Sequence, residues 1–499
     1  MLYNPLPPMI PISACANAPP RCLGTTCLET RDYSGTLAGT TALIDIHLSG
    51  GLRESRFFLY MNARPGAGTL PLADVFPVKS AFMKLFSTLL LFLAGNIACG
   101  QSSAASATVP ITLDHNRILV DVRLPLPGGD MKRVRAWVDN GNPELWIAEG
   151  AAKAMGLDLS GQPKDELDLK VVTAKPPKQI TLGGMEVDLS GIPEAKVVMG
   201  RSVLFPGLSA AINLPAAVLR NYDVVIDYPN REFTLAQPGH LQHKGEGVKA
   251  LLNSENGLLQ IPSQLDGMKF NLGFDVGASF SFLGDRLVES LLKKHAAWPH
   301  MTGATGEANL WGIADEPKWT LLRLPEIQYG AATLKQVGVA SYSREYLDWF
   351  QKRAGVATMG LIGGNAFLAY RVGIDYANST VHFEHTGRDP VPAMDVVGLI
   401  LRPEADDSYT IIGVADFAGK PSVPDVKPGD VLLSVDKVPA KGGTMGQVWS
   451  LLGGRAGDVR TLVVERDGKQ ITVKATVRRF LAAAPPAREA KSQTGSTRK

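Results

Sequence analysis

Trp137-Val138-Asp139-Asn140-Gly141-Asn142-Pro143-Glu144-Leu145-Trp146-Ile147 sets an acid on a glycine turn between two apolar runs. The apolar flanks read as strand ends. Glycine two places after the aspartate presents only a hydrogen, so another group can approach the turn closely. Taken alone, an Asp-x-Gly in a β protein reads as a surface turn. The chain repeats the arrangement, however, in Asn271-Leu272-Gly273-Phe274-Asp275-Val276-Gly277-Ala278-Ser279-Phe280-Ser281-Phe282-Leu283. Two carboxylates on matching turns are the parts of a paired-acid site.

Outward from the first turn the pattern is that of strands. Ile118 to Leu124 and Val134 to Val138 alternate around a Pro125 to Gly129 turn, and the second of them delivers Asp139. A short helix from Glu149 to Met155, ended by Gly156, follows. Further strands are expected over Leu167 to Val172, Lys178 to Leu182 and Ala195 to Met199. The block closes on Asn221-Tyr222-Asp223-Val224-Val225-Ile226-Asp227-Tyr228-Pro229-Asn230, and Ala369-Tyr370-Arg371-Val372-Gly373-Ile374-Asp375-Tyr376-Ala377-Asn378 restates that phrase in register. The turns and the closing phrases together read as an internal duplication, with lobes over 106–240 and 246–386. Before the second closing phrase, Leu361-Ile362-Gly363 is an apolar-apolar-Gly strand end; the first lobe offers only the looser Leu208-Ser209-Ala210 within Pro206 to Pro215. Asp227 and Asp375 sit just before turns and are expected to cap them. The fold class expected is mainly β.

Asp-x-Gly after an apolar strand, an apolar-apolar-Gly strand further on, and two copies per chain resemble the aspartic proteases, both the bilobed pepsin-like and the bacterial retropepsin-like types. The resemblance covers about 280 residues. It implies a catalytic dyad of Asp139 and Asp275, on active-site loops formed by Asn140, Gly141, Val276, Gly277 and Ala278. Two carboxylates that close share one proton, because both cannot ionise, and they act on a water without metal or cofactor. Where the family has Thr or Ser at the middle of the turn, tying one loop to the other, this chain has Asn140 and Val276. Asn140 can still hydrogen-bond and Val276 cannot, so at least half of that tie is expected to be lost. A covering flap is not readable in the first lobe. In the second, Thr302-Gly303-Ala304-Thr305-Gly306-Glu307 is a candidate hairpin tip, structural rather than substrate-contacting.

After a linker from His385 to Pro392 come Val397 to Leu401, Tyr409 to Val414, Val426 to Asp436 and a helix-like Met445 to Leu452. Arg460 to Arg466 and Gln470 to Val477 follow as two strands joined by Asp467-Gly468, a strong hairpin signal. The order, and Lys427-Pro428-Gly429-Asp430-Val431-Leu432 above all, resembles a bacterial PDZ domain over 394–480. The resemblance implies a carboxylate-binding loop of Gly398, Leu399, Ile400 and Leu401 for a peptide partner; a module that packs on the lobes and binds nothing is the equal alternative. The tail, 481–499, reads as disordered.

Toward the N-terminus, residues 1–82 lack a sustained period and read as disordered. Met83-Lys84 then opens an apolar run through Leu93 with a small-residue exit, a secretory signal over 83–105. A signal there suggests Met83 as the natural start, with 1–82 translated in error. Cys99 is a candidate lipid anchor, although Asn96-Ile97-Ala98 lacks the usual Leu three places ahead. The expected location is periplasmic or secreted. The four cysteines, Cys15, Cys22, Cys27 and Cys99, all precede the lobes, and Cys22 and Cys27 have no second pair to complete a metal site. A formal charge of +3 over 499 residues, without a basic stripe, argues against nucleic acid. The eight histidines show no ligand spacing, so no metal is expected, and no Gly-x-Ser-x-Gly forms around Ser279 or Ser281. The reading is an exported aspartic endopeptidase whose PDZ domain recruits peptide or protein substrate; the alternative is a catalytically impaired pseudoprotease that binds peptides.

Overall fold

The two closing phrases pair with each other. They form the centre of a six-stranded antiparallel sheet ordered Ser106–Pro110, Glu232–Ala236, Asp223–Asp227, Tyr370–Asp375, Thr380–His385, Glu246–Lys249. Val225 lies opposite Gly373, and these two are equivalent when Ile226-Asp227-Tyr228 is aligned on Ile374-Asp375-Tyr376. A residue that faces its own copy marks a two-fold relation, so the duplicated halves meet about an axis through this pair. Asp227 accepts from Asn230 N–H at 3.0 Å and Asp375 from Asn378 N–H at 2.9 Å, each capping its turn as expected. The computed structural model describes residues 104–386 and 394–484, which belong to one compact unit. The expectations for 1–82, for most of the signal segment with Cys99, for most of the linker and for the end of the tail lie outside the described residues.

Each half carries its own sheet, and the protein is mainly β. In the first lobe Met131–Asp139 runs parallel to Ile212–Pro215, with Val138 opposite Leu214 and Asp139 opposite Pro215; Ile212 in turn lies antiparallel to Ile147 of Trp146–Ala148. In the second lobe Met268–Phe274 runs parallel to Gly360–Ile362, which is antiparallel to Ser281–Gly284. Ala216 N–H donates to Asn142 O and Gly364 N–H to Ala278 O, both at 2.8 Å. These matching bonds fix the equivalence, and they correct one expectation. The counterpart of Leu361-Ile362-Gly363 is Asn213-Leu214-Pro215, and Leu208 and Ala210 are buried with Trp146 and Leu204 in a separate cluster. A mostly apolar stretch without strict alternation does not reveal which of its residues pair.

The hydrophobic core runs through both lobes and the shared sheet. Two helices were not anticipated, Asp285–Lys294 and Arg344–Ala354. Gly355, at φ 71, stops the second in the left-handed region.

The C-terminal module has its own core and a sheet ordered Leu399–Pro403, Tyr409–Val414, Val431–Val435, Val459–Arg466, Lys469–Thr476. Its helix, Met445–Leu452, opens on a capping box in which Gln447 N–H donates to Thr444 Oγ1 and Thr444 N–H to Gln447 Oε1. The Lys427-Pro428-Gly429-Asp430 turn is closed by Arg466, whose Nε and Nη2 donate to Asp430 at 2.7 Å each. A shared cluster including Phe280, Ala304, Leu310, Trp319, Ala415 and Phe480 joins the module to the second lobe.

Candidate active site

Strand Met131–Asp139 ends on its carboxylate, and strand Met268–Phe274 delivers Asp275 one residue beyond its end. Each acid lies over the glycine of the other turn. A Cβ on Gly141 would stand 2.1 Å from Asp275 Cγ, and one on Gly277 would stand 2.4 Å from Asp139 Oδ1. Only glycine permits that approach, which is the physical reason for the Asp-x-Gly spacing. The structure thus brings Asp139, Gly141, Asp275, Gly277 and Ala278 together about the axis.

Asn140 carries the tie between the turns. Its Oδ1 accepts from Val276 N–H at 2.8 Å and its Nδ2 donates to Phe274 O at 3.0 Å. The longer amide therefore makes both bonds across the axis with the two ends of one planar group. The expected loss of half the tie is corrected: Val276, fully buried, contributes its backbone N–H to Asn140 and its side chain to the core. Trp137 Nε1 adds a further bond between lobes, to Gly277 O at 3.2 Å.

The two carboxyls are not equivalent. Asp275 Oδ1 accepts from Gly277 N–H at 2.8 Å and Ala278 N–H at 3.0 Å. Burial lifts its pKa from 3.8 to about 6, against the pull of these donors and of the Arg117 charge. Asp139 is 3% exposed, and its Oδ2 finds no hydrogen-bond partner among the described residues. Burial first, and the Asp275 charge second, push the Asp139 carboxyl well above the ordinary range. The partners of a close acid pair titrate together; the environment makes Asp275 the one that ionises first.

Sequence reasoning missed Arg117, which is 1% exposed, donates from Nη2 to Leu310 O at 2.9 Å and lies 3.8 Å over the Trp311 ring. It also missed Glu316, a buried carboxylate whose Oε1 accepts from the backbone N–H groups of Trp311, Gly312 and Ile313. No spacing marks either residue, because each acts through a loop that the strand pattern leaves blank. The hairpin Lys164–Glu166 to Leu169–Ala174 supplies the projecting turn that was not readable in the first lobe, with Leu167 62% exposed at its tip. Its counterpart in the second lobe is the connection from His300–Thr302 to Thr320–Tyr329, which begins with the candidate tip Thr302 to Glu307. That connection is structural: Thr305 Oγ1 donates to Leu399 O at 2.7 Å, and the Asn309 amide both accepts from Leu401 N–H and donates to Leu401 O, at 2.9 Å each. Gly398, Leu399, Ile400 and Leu401 are all buried, and the strand they lead into is already paired from within the chain.

No family model matches this chain. A curated protein similar to part of it is named "Putative zinc metalloprotease", from Mesorhizobium japonicum; it is 51% identical over 51 residues, 10% of this chain and 13% of that protein. This finding corrects the assignment made from sequence. The relative is named for a metal-dependent class, so membership of the pepsin-like or retropepsin-like families with a PDZ domain is withdrawn. The function drawn from that membership, with its pseudoprotease alternative, is withdrawn with it. Among the described residues no group of three or more His, Cys, Asp or Glu is placed to hold a metal ion, so the side chains present do not fit the zinc of the relative's name.

Proposed function

We propose that the chain is a hydrolase whose acid and base are Asp139 and Asp275. The observation that carries this reading is the reciprocal seating of each carboxylate on the glycine of the opposite turn. Asp275, partly exposed and first to ionise, takes a proton from a water as its oxygen attacks a carbonyl carbon. Asp139, buried and still protonated, gives its proton to the carbonyl oxygen. Collapse of the tetrahedral intermediate breaks the bond to the leaving group, which takes the proton held on Asp275, while the hydroxyl on the reacting carbon returns its proton to Asp139 as the carbonyl re-forms. Proteins as the substrate class come from the relative's printed name, and that part of the proposal is the coarser one.

The test is turnover of an unfolded protein by the full chain, with and without excess chelator. Asp139→Asn and Asp275→Asn should each abolish it, and chelator should leave it intact. Loss of turnover to chelator, or survival in either variant, refutes the assignment. Export of the chain, proposed from Met83 to Ala104, is checked by N-terminal sequencing of protein recovered from cell fractions. Among the described residues no helix is long and apolar enough to cross a membrane.

A further inference from the structure

Strand Arg117–Pro125 pairs antiparallel with Met131–Asp139, Leu119 standing opposite Trp137. Continuing that register by two residues brings Arg117 level with Asp139, on the face that Leu119 and Trp137 share. The guanidinium is thus placed by the strand that carries one acid. It is then fixed by a segment of the other lobe, through the bond to Leu310 O and the stack on Trp311.

That segment is held from two sides. Glu316 gathers the N–H groups of Trp311, Gly312 and Ile313 from within the lobe. From outside, Leu399–Pro403 is the terminal strand of its sheet, and such an edge offers free N–H and C=O groups. The side-chain amide of Asn309 occupies one pair of them, both on Leu401, as the backbone of an added strand would. His115 completes the hold: its Nε2 lies 2.7 Å from Asn309 O and its ring stacks on Trp449 of the module's helix. Burial keeps that imidazole neutral, with its pKa pushed down to about 3, so the ring donates to the carbonyl.

We propose that Arg117 is a positioning residue for the carboxylate pair, and that the C-terminal module acts as the clamp which keeps Asn309 to Trp311, and through them Arg117, in place. This rests on the reading of Asp139 and Asp275 as the reacting pair. The module is then part of the reaction centre's scaffold, with its edge strand satisfied in cis. The charged and titratable groups that act on the guanidinium are Asp114, His115, Glu316, Asp139 and Asp275. Asp275 is felt in turn by Tyr228, Tyr329 and Tyr342, and Asp139 by Arg353. Of these groups Arg117 is the cation whose pull lowers the Asp275 carboxyl. Its removal should make Asp275 harder to ionise.

The experiment is a carboxyl carbon NMR titration of the full chain labelled at aspartate, with Asp139→Asn and Asp275→Asn assigning the two signals. In Arg117→Met the Asp275 midpoint should rise by about half a pH unit, roughly a threefold fall in its ionisation constant; a directly contacting charge would move it further, by about one to three pH units. Arg117→Lys keeps the charge and should return the midpoint most of the way to the parent value. Asn309→Ala leaves the guanidinium intact, removes only the clamp and should raise the midpoint by a smaller amount in the same direction. An Asp275 midpoint unmoved in Arg117→Met refutes the role of Arg117, and one unmoved in Asn309→Ala refutes the clamp. If Arg117→Met does not fold, the lysine and alanine variants decide by the same readout. A raised midpoint in a chain whose Asp139→Asn form still hydrolyses would leave this inference standing and remove the functional reading beneath it.

Discussion

Asn140→Ala removes the one side chain that bonds across the two turns in both senses. Val276 N–H and Phe274 O lose partners at 2.8 and 3.0 Å, in a place where Asn140 and Val276 are fully buried and water cannot replace it. A buried group left without its partner costs about 1–3 kcal/mol, so the two together should cost about 2–6 kcal/mol. That is a large share of the roughly 5–15 kcal/mol by which a domain is stable. The loss should appear as a lower urea midpoint with an unchanged slope, and as faster hydrogen exchange at the Val276 amide. Asn140→Thr should recover more than half, because one hydroxyl can donate to Phe274 O while accepting from Val276 N–H. Asn140→Asp should do no better than alanine at neutral pH, since its second oxygen would face Phe274 O with no proton between them. An alanine variant within about 0.5 kcal/mol of the parent, the usual range for an uninvolved surface position, would refute the assignment. So would an aspartate variant as stable as the parent.

Three further outcomes follow from the same site and its scaffold. The Asp275 pKa is raised from 3.8 to about 6, so the folded state binds the proton more tightly; its stability is full below pH 3.8 and falls as pH rises through 6. Asp275→Asn should therefore stabilise the chain at pH 7 by up to about 3 kcal/mol, at roughly 1.4 kcal/mol for each pH unit separating the folded and unfolded values, and leave it unchanged at pH 3; urea midpoints at the two pH values check this. Turnover should rise with pH through about 6 as Asp275 ionises, and fall again once Asp139 does; a rate flat between pH 4 and 7 contradicts the acid–base assignment. Arg466→Ala strands the Asp430 carboxylate, whose side chain is 2% exposed, and should cost the C-terminal module about 3 kcal/mol, read as selective loss of exchange protection in Val459–Arg466.

The paired turns and the closing phrases were legible because repetition supplied what a single pattern cannot. Asp227 and Asp375 could be read as turn caps, and Asp139 and Asp275 as partners, since each occurs in register with a copy. The C-terminal helix, Met445–Leu452, and the Asp467-Gly468 turn were legible from local chemistry alone. What failed was what depends on a partner distant in sequence. Leu208 to Pro215 is mostly apolar, with only Ser209 and Asn213 polar, and Met131–Asp139 lying alongside selects Ile212–Pro215 as the strand. Half of the tie was expected to be lost at Val276 because sequence shows that its side chain cannot bond and not that Asn140 spans the distance to both partners. Arg117, at the start of a strand, and Asn309 and Glu316 carried no signal at all: a buried charge or amide is distinguishable from a solvated one only when its neighbours are known.

A duplicated chain starts with two equal acids, whereas an acid–base pair needs unequal ones. The inequality here arises in the residues flanking the two turns. Ala278 N–H turns inward and donates to Asp275 Oδ1. Its counterpart Asn142 bonds through its N–H to the backbone oxygen of Asp139 at 3.4 Å, and its Oδ1 accepts from Glu144 N–H and from Arg353. The Asn142 N–H thus goes to the backbone of its own turn, and the buried Asp139 Oδ2 has no hydrogen-bond partner among the described residues, a setting that favours the protonated form. The second turn converges on its carboxylate and, with the Arg117 charge, favours the ionised form. Asn140 belongs to the same division, since its amide reaches from the first turn to the backbone of the second and no side chain returns from Val276. Ala278 N–H and the Arg117 charge thus favour a charge held on Asp275, while burial and that charge keep the proton on Asp139 against the side-chain bonds of Asn213 and Asn142, which pull its carboxyl the other way.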